Sequence, residues 1–457
     1  MARKFISFLG TGNYLETYYI LKGQRSSHPV RFVQEALVDF LCADWNEKDS
    51  IIVFCTKDAR DKNWLDNGHT NATDDKQNVG LNSRLKAKGY KPLILGGDDA
   101  LISEGFSESQ IWDIFEVVYS KIDNDDQIYF DLTHAFRSIP VFSTILFSYA
   151  HFLKNTELIS VHYGALEQLG DRKEVEKMAV EMRNAPIIDL TGLITLQSMT
   201  ISASSYFEFG RFSEMGKIIS DPNNKKGQSN KASNRLQEAM HVFRKNIADL
   251  EAFISTCRMS DIRKGLYAVK ILSSLNHIVQ SELPLPEQLL LQQLKQDIER
   301  FSPEPSDKNI EVAIEWAFKY NMLQQSYTLG QEYIISLTSL QLQRYSLTST
   351  LLSEKGLQLS DRELRMYVSS LLGIDDKHVR NIEFEGLLKK NPKITLTFLE
   401  KNWIQQLRPS FKLLADNRNI INHAKGNTSA AELKDQFRVS YDNCKAILVR
   451  VAGESVE

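Results

Sequence analysis

Gln127-Ile128-Tyr129-Phe130-Asp131-Leu132-Thr133-His134-Ala135-Phe136-Arg137-Ser138-Ile139-Pro140 is the stretch that decides the fold of the N-terminal part. A short apolar, aromatic run ends in a polar cluster. Val141-Phe142-Ser143-Thr144-Ile145-Leu146-Phe147-Ser148-Tyr149-Ala150 then continues as an apolar helix, with Ser138 placed to cap it and Pro140 in its first turn. Asp131, Thr133, His134 and Arg137 therefore fall where a parallel strand meets the next helix, the usual ligand side of an open α/β sheet. A local role stays open beside that one, because Asp131 and Thr133 can simply tie down the turn.

Outward from this stretch the same unit recurs. Lys4 to Leu9 is a buried strand that stops at Gly10-Thr11-Gly12-Asn13-Tyr14. Glycines at a strand end let backbone N–H groups approach a phosphate, and Thr11 and Asn13 add side-chain hydrogen bonds. A dinucleotide fingerprint is not complete, since the third glycine is missing and no helix starts in register. Val33 to Asp44 has a helical period. Asp49 to Cys55 is a second strand, ending at Thr56-Lys57-Asp58-Ala59. Asp61 to Asn82 is polar and rich in Asn, Asp and Gly, which predicts a long loop or insertion. Lys91 to Gly97 reads as a third strand, Ser109 to Ile122 as a helix, and Leu158 to Glu167 as a further strand ending at Gly164. Strand, helix and strand in repetition mean a doubly wound, mostly parallel sheet. Its strand ends carry no nucleophile with a base, no metal cluster and no Walker loop. They suit binding better than reaction.

After Ala185-Pro186, Ile187 to Thr191 reads as a connector, and from there strands disappear. Helical patterns occupy 193–199 and 206–212, and 221–231 is a polar loop. Further helical patterns run over 234–256, 261–280, 286–301, 308–344, 360–373, 395–416 and 430–452. An all-α second domain is expected. Near its end stands Asp416-Asn417-Arg418-Asn419-Ile420-Ile421-Asn422-His423-Ala424-Lys425-Gly426-Asn427, with Gly426 as the expected helix stop. On one helix Arg418 and His423 are separated by about 500° of turn, leaving them roughly 140° apart. Two copies packed face to face bring both pairs to one groove. Arginine to hold a scissile phosphate and histidine to move a proton suit metal-free cleavage of RNA, with Asn419 adding an amide and the two isoleucines facing a core. DNA has no 2′-hydroxyl to attack. A solvated helix face is the competing account of such a pair, and Arg235 with His241 nearly repeats the spacing.

At 457 residues the chain calls for two or three domains, and 42% hydrophobic with 25% charged residues is ordinary for a globular protein. A net charge of −3 argues against a broad basic coat for nucleic acid and leaves room for a local groove. The four cysteines have no CxxC spacing, which excludes the common zinc sites and a disulfide framework. No signal peptide or spanning segment is read, so a cytoplasmic location is expected.

Phe8 to Tyr14, Phe130 to Ser138 and His162 to Glu167 resemble the conserved blocks of CARF domains in CRISPR-associated proteins, with Ala135 where that family commonly has glycine. The C-terminal motif of Arg418, Asn419 and His423 resembles that of the HEPN domain fused to CARF in type III CRISPR ribonucleases. The resemblance implies a Rossmann-like CARF sensor over 1–185 and a helical HEPN ribonuclease over 186–457. It implies a homodimer that binds a cyclic oligoadenylate, cyclic tetra-adenylate favoured and cyclic hexa-adenylate next. Gly10, Thr11, Gly12, Asn13, Thr56, Lys57, Thr133, His134 and Arg137 are the expected ligand residues. Arg418, Asn419 and His423 are the expected catalytic residues for single-stranded RNA, with no cofactor or metal. The alternative is a non-catalytic CARF sensor whose helical half binds or regulates a partner.

Overall fold

The computed structural model describes residues 1–69, 78–134, 139–211, 231–280, 285–423 and 428–454. Arg137, Ser138, Gly426 and the expected polar loop up to residue 230 lie outside them. The chain divides into two compact units, Met1–Thr195 and Leu196–Glu457.

The first unit is built on strands β1 (Arg3–Leu9), β2 (Tyr18–Leu21), β3 (Gln24–Arg25), β4 (Ser50–Cys55), β5 (Leu93–Leu101), β6 (Gln127–Asp131), β7 (Glu157–Gly164) and β8 (Asn184–Asp189). They form one sheet in the order β3-β2-β8-β7-β6-β1-β4-β5. The run β7-β6-β1-β4-β5 is parallel. The β7–β8 and β2–β3 pairs are antiparallel. Strands β1 and β4 are buried on both faces, which is why their sequences are nearly continuous apolar runs. Alternation sorts them between two cores. Phe5, Leu9, Ile51 and Val53 pack with α1 (Val33–Leu41) and α2 (Leu81–Ala87). Ile6, Phe8, Ile52 and Phe54 pack with α3 (Glu108–Ser120) and α4 (Ile139–Lys154) on the other face.

Two expectations change. The connector after Pro186 is in its first half a strand: β8 pairs Tyr18 to Leu21 with Asn184 to Ile187 in parallel, and the first unit extends to Thr195. The polar segment from Asp61 is not all loop. Arg60–Trp64 is one turn of π-helix, Leu81–Ala87 is α2, and Asn63 and Trp64 are buried. Trp64 lies so close over Gly96 and Gly97 that a Cβ at either would meet its ring at 2.3 and 2.8 Å. Glycines in β5 make room for it.

The second unit is helical. Its principal helices begin with α5 (Thr191–Phe209), which starts in the first unit, and continue with α6 (Lys231–Ser255), α7 (Leu266–Gln280), α8 (Leu285–Ile298), α9 (Asp307–Lys319), α10 (Leu323–Gln343) and α11 (Asp361–Gly373). The last two are α12 (Asn402–Asn422) and α13 (Ala430–Gly453). Gly265, in the left-handed region at φ +70°, ends the short helix Met259–Lys264 and so splits the run expected over 261–280. Tyr327, Trp316, Tyr367, Phe398 and Phe411 are fully buried at its centre. Among the described residues no helix is long and apolar enough to cross a membrane.

Candidate functional site

In the first unit, β6, β1 and β4 are neighbours in parallel register, with Ser7 opposite Asp131 and Leu9 opposite Cys55. Three expected ligand segments therefore leave the same sheet edge side by side: Gly10 to Asn13, Thr56 to Lys57, and Thr133 to His134. Asp131 is wholly buried, and burial raises its carboxyl pKa. It accepts hydrogen bonds from the Ser7 hydroxyl at 2.7 Å and from the Thr133 N–H at 3.0 Å and hydroxyl. The Thr133 hydroxyl in turn accepts from the Gly164 N–H at 2.8 Å. These bonds tie β1, β6 and β7 together at their ends. The local role of Asp131 and Thr133 is thus what the geometry displays, and Thr133 has its hydroxyl occupied.

Thr11, Gly12 and Lys57 are exposed, while Gly10 and Asn13 are half-buried. Thr56 is 2% exposed and its side chain accepts from the Ala59 N–H, capping the turn that follows. His134 stacks on Tyr14 at 4.3 Å, and burial lowers its pKa to about 4, keeping the ring neutral. Tyr14 lies under the glycines: a Cβ at Gly10 would stand 2.6 Å from its hydroxyl, which takes backbone hydrogen bonds from Gly10 and Gly12. Arg137 lies outside the described residues.

Three more neighbours of this loop are not foreseen by its motif. Asn63 donates from one amide nitrogen to the Gly10 and Gly12 carbonyls, each at 2.8 Å. Arg31 donates to Asn13 Oδ1 at 3.2 Å, and His69 hydrogen-bonds to the Thr11 backbone. Asn63 and His69 fall in the polar segment expected to be loop. Arg31 is an isolated arginine before a helix.

In the second unit, α12 carries the Arg418 motif. Asn417, 3% exposed, anchors it by donating to the Tyr327 hydroxyl on α10 at 3.1 Å and to Gln436 Oε1 on α13 at 2.7 Å. The helix ends at Asn422, so His423 is its C-cap, with its N–H on the Asn419 carbonyl at 3.0 Å. Asp416, Asn419, Ile420 and His423 line an open cleft of about 400 Å³. Their spacing of three, four and seven residues is one helix face. Ile421 packs on the core, whereas Ile420 lines the cleft rather than facing the core as expected. Arg418 is half-buried and is not among the lining residues; its Nε is buried with no partner, and its charge reaches Cys257. Asn419 and His423 thus share one wall, and Arg418 belongs to another side of the same helix end. Arg235 and His241 are both exposed on α6.

Comparison with curated proteins finds CRISPR-associated protein MJ1674 of Methanocaldococcus jannaschii, 26% identical over 136 residues, which are 29% of this chain and 20% of that protein. Over those residues the chain is similar to a CRISPR-associated protein. The family read from the sequence, a CARF–HEPN CRISPR-associated protein, agrees with that relationship. The chain matches only a fifth of the length of that curated relative. No family model matches. Among solved structures, Enterococcus italicus Csm6 bound to cyclic hexa-2'-fluoro-hexa-dAMP superposes with a TM-score of 0.46 at 9% identity, over 100% of this chain and 96% of that one.

Proposed function

We propose that this CRISPR-associated chain is a cyclic-oligoadenylate-activated, metal-independent endoribonuclease that cleaves single-stranded RNA in type III antiviral defence. The first unit is the sensor and the second the ribonuclease. The observation that carries the reading is the wall formed by Asn419 and His423 at the end of α12, with Arg418 one residue away and its guanidinium free of any ion pair among the described residues. Arg418 holds the scissile phosphate. His423, at the C-cap of the helix, moves the proton of the 2′-hydroxyl or leaving oxygen, and Asn419 positions one of them. Attack of the 2′-oxygen on phosphorus expels the 5′-oxygen and leaves a 2′,3′-cyclic phosphate.

A homodimer brings two such walls together. An apolar groove of about 370 Å³ between α3 and α4, lined by Ile111, Trp112, Phe115, Val141, Phe142 and Ile145, supports a second copy as its cover. Trp112, Val141 and Ile145 are 58%, 68% and 59% exposed, a cluster of large apolar side chains left to water. Cyclic oligoadenylate, cyclic tetra-adenylate before hexa-adenylate, binds at Gly10 to Asn13, Thr56, Lys57, Thr133, His134 and Arg137. It activates by preferring the cleaving arrangement of the dimer.

The test is cleavage of a fluorogenic single-stranded RNA in EDTA, with and without each ring. One ring alone should switch on cleavage, and His423→Ala should abolish it while ring binding stays intact. Cleavage that persists in that variant would remove His423 from the site. Ring binding with no cleavage under any condition would favour the non-catalytic sensor.

A further inference from the structure

Arg31 precedes α1 beside the glycine loop. It is half-buried, its guanidinium has no ion pair among the described residues, and its Nε is buried with no partner. The other cations acting on Arg31 or on His69 are matched. Arg84 faces Glu16 at 3.8 Å and Glu35 at 3.6 Å, Lys62 pairs with Asp58 at 2.7 Å, and Arg172 pairs with Glu176 at 2.7 Å. Arg31 alone of these four is left over, although Glu16 and Glu35 act on it from a distance along with Tyr14. Removing a cation from water without an anion beside it is unfavourable, so a fold keeps one there only if something else returns the loss.

His69 has the same character. Its ring hydrogen-bonds to the Thr11 backbone and its Nε2 is buried with no partner. The charges acting on it most strongly are Arg31, Lys62 and Arg172, all positive, and with burial they lower its pKa. An arginine and a histidine that repel each other thus meet at the loop whose Thr11 and Gly12 are exposed and whose Asn13 already bonds Arg31. An anion lodged here answers both.

We propose that Arg31 and His69 form a phosphodiester-binding subsite beside the Gly10 to Asn13 loop, taking one linkage of the bound oligoadenylate. This rests on the reading of the first unit as an oligoadenylate sensor. Arg31 offers its Nη atoms, since its Nε is enclosed. The arriving negative charge reverses the field at His69, which takes a proton from solvent. The diester's single charge then matches the guanidinium, and the imidazolium donates to the linkage or to the loop holding it.

The experiment is titration calorimetry of the full chain near pH 7 in two buffers of different ionisation heat. The probes are cyclic tetra-adenylate, cyclic hexa-adenylate and linear tri-adenylate, and each variant is also melted. Wild type should take up a proton on binding. Arg31→Met should lose tenfold or more in affinity while melting at the same or a higher temperature, because it removes an unmatched charge. His69→Gln should bind without proton uptake. Unchanged affinity in Arg31→Met, a lower melting temperature with it, or unchanged uptake in His69→Gln would overturn the subsite. Arg31-dependent binding of the linear probe with no binding of either ring would keep the subsite and remove the ring sensor. No binding of any probe would remove both.

Discussion

Asn417, directly before Arg418 in sequence, donates to the Tyr327 hydroxyl at 3.1 Å, and that hydroxyl donates in turn to the Leu433 carbonyl at 2.7 Å. One buried amide thus fixes the end of α12 to α10 and α13. The placement of Arg418, Asn419 and His423 depends on it.

Asn417→Ala removes two buried donors and leaves Gln436 Oε1 without its partner at 2.7 Å. The expected loss is about 1–3 kcal/mol in the unfolding of the helical unit. RNA cleavage should fall further than stability does, since the motif is displaced. A denaturant titration with an unchanged midpoint would contradict this.

Gly10→Ala places a methyl group 2.6 Å from the Tyr14 hydroxyl, and Tyr14 is held between Phe32 at 5.6 Å and His134 at 4.3 Å. The loop rather than the ring must move. Asn63→Ala frees the same loop from the other side by removing the donor to the Gly10 and Gly12 carbonyls. Each change should weaken ring binding at least tenfold in calorimetry. RNA cleavage, where it remains, should need correspondingly more activator.

The parallel strands and both helical layers were legible because burial on two faces writes itself as runs such as Ile51 to Cys55. The miss at β8 has a specific cause. Pro186, an uncommon residue inside a strand, stands opposite Ile20 in the ladder to β2, and the ladder to β7 begins only at Ile187. Asn63 and Trp64 were illegible for another reason: Trp64 lies against Gly96 and Gly97 and Asn63 against the Gly10 and Gly12 carbonyls, all distant in sequence, so their burial has no period of its own. Arg418 and His423 could be named from spacing. That Ile420, and not Ile421, faces the cleft follows only from how Asn417 turns the helix.

His162 on β7 is 2% exposed, and burial lowers its pKa to about 4. Because the folded value lies below the ordinary 6.5, the unfolded chain binds the proton that the fold refuses. Stability is therefore complete above 6.5 and declines as pH falls, by roughly 2 kcal/mol at pH 5 from this residue. Asp131, raised by burial, acts with the opposite sign, losing stability as pH rises through its folded value. It is common to both proteins when wild type is compared with His162→Gln, as is His134. The stability difference between the two should shrink or change sign between pH 7 and 5 in a calorimetric series. A constant difference would mean His162 is not held neutral.

Arg418 and His423 stand on different sides of the α12 terminus, with His423 in the cleft and Arg418 outside its lining. If the working pair forms across two chains, the Arg418 of one serves the His423 of the other. Arg418→Ala and His423→Ala proteins should each be inactive alone. Mixed and allowed to exchange, they form heterodimers with one intact arginine on one chain and one intact histidine on the other. Cleavage should then return to a measurable fraction of wild type in the presence of activator. A pair confined to one chain predicts no recovery, because neither chain carries both groups. Ile145→Asp placed in both proteins puts a charge into the exposed apolar groove between α3 and α4. It should abolish the recovery and shift each protein toward monomer in sedimentation. Recovery that survives it would move the dimer contact elsewhere while leaving the shared site intact.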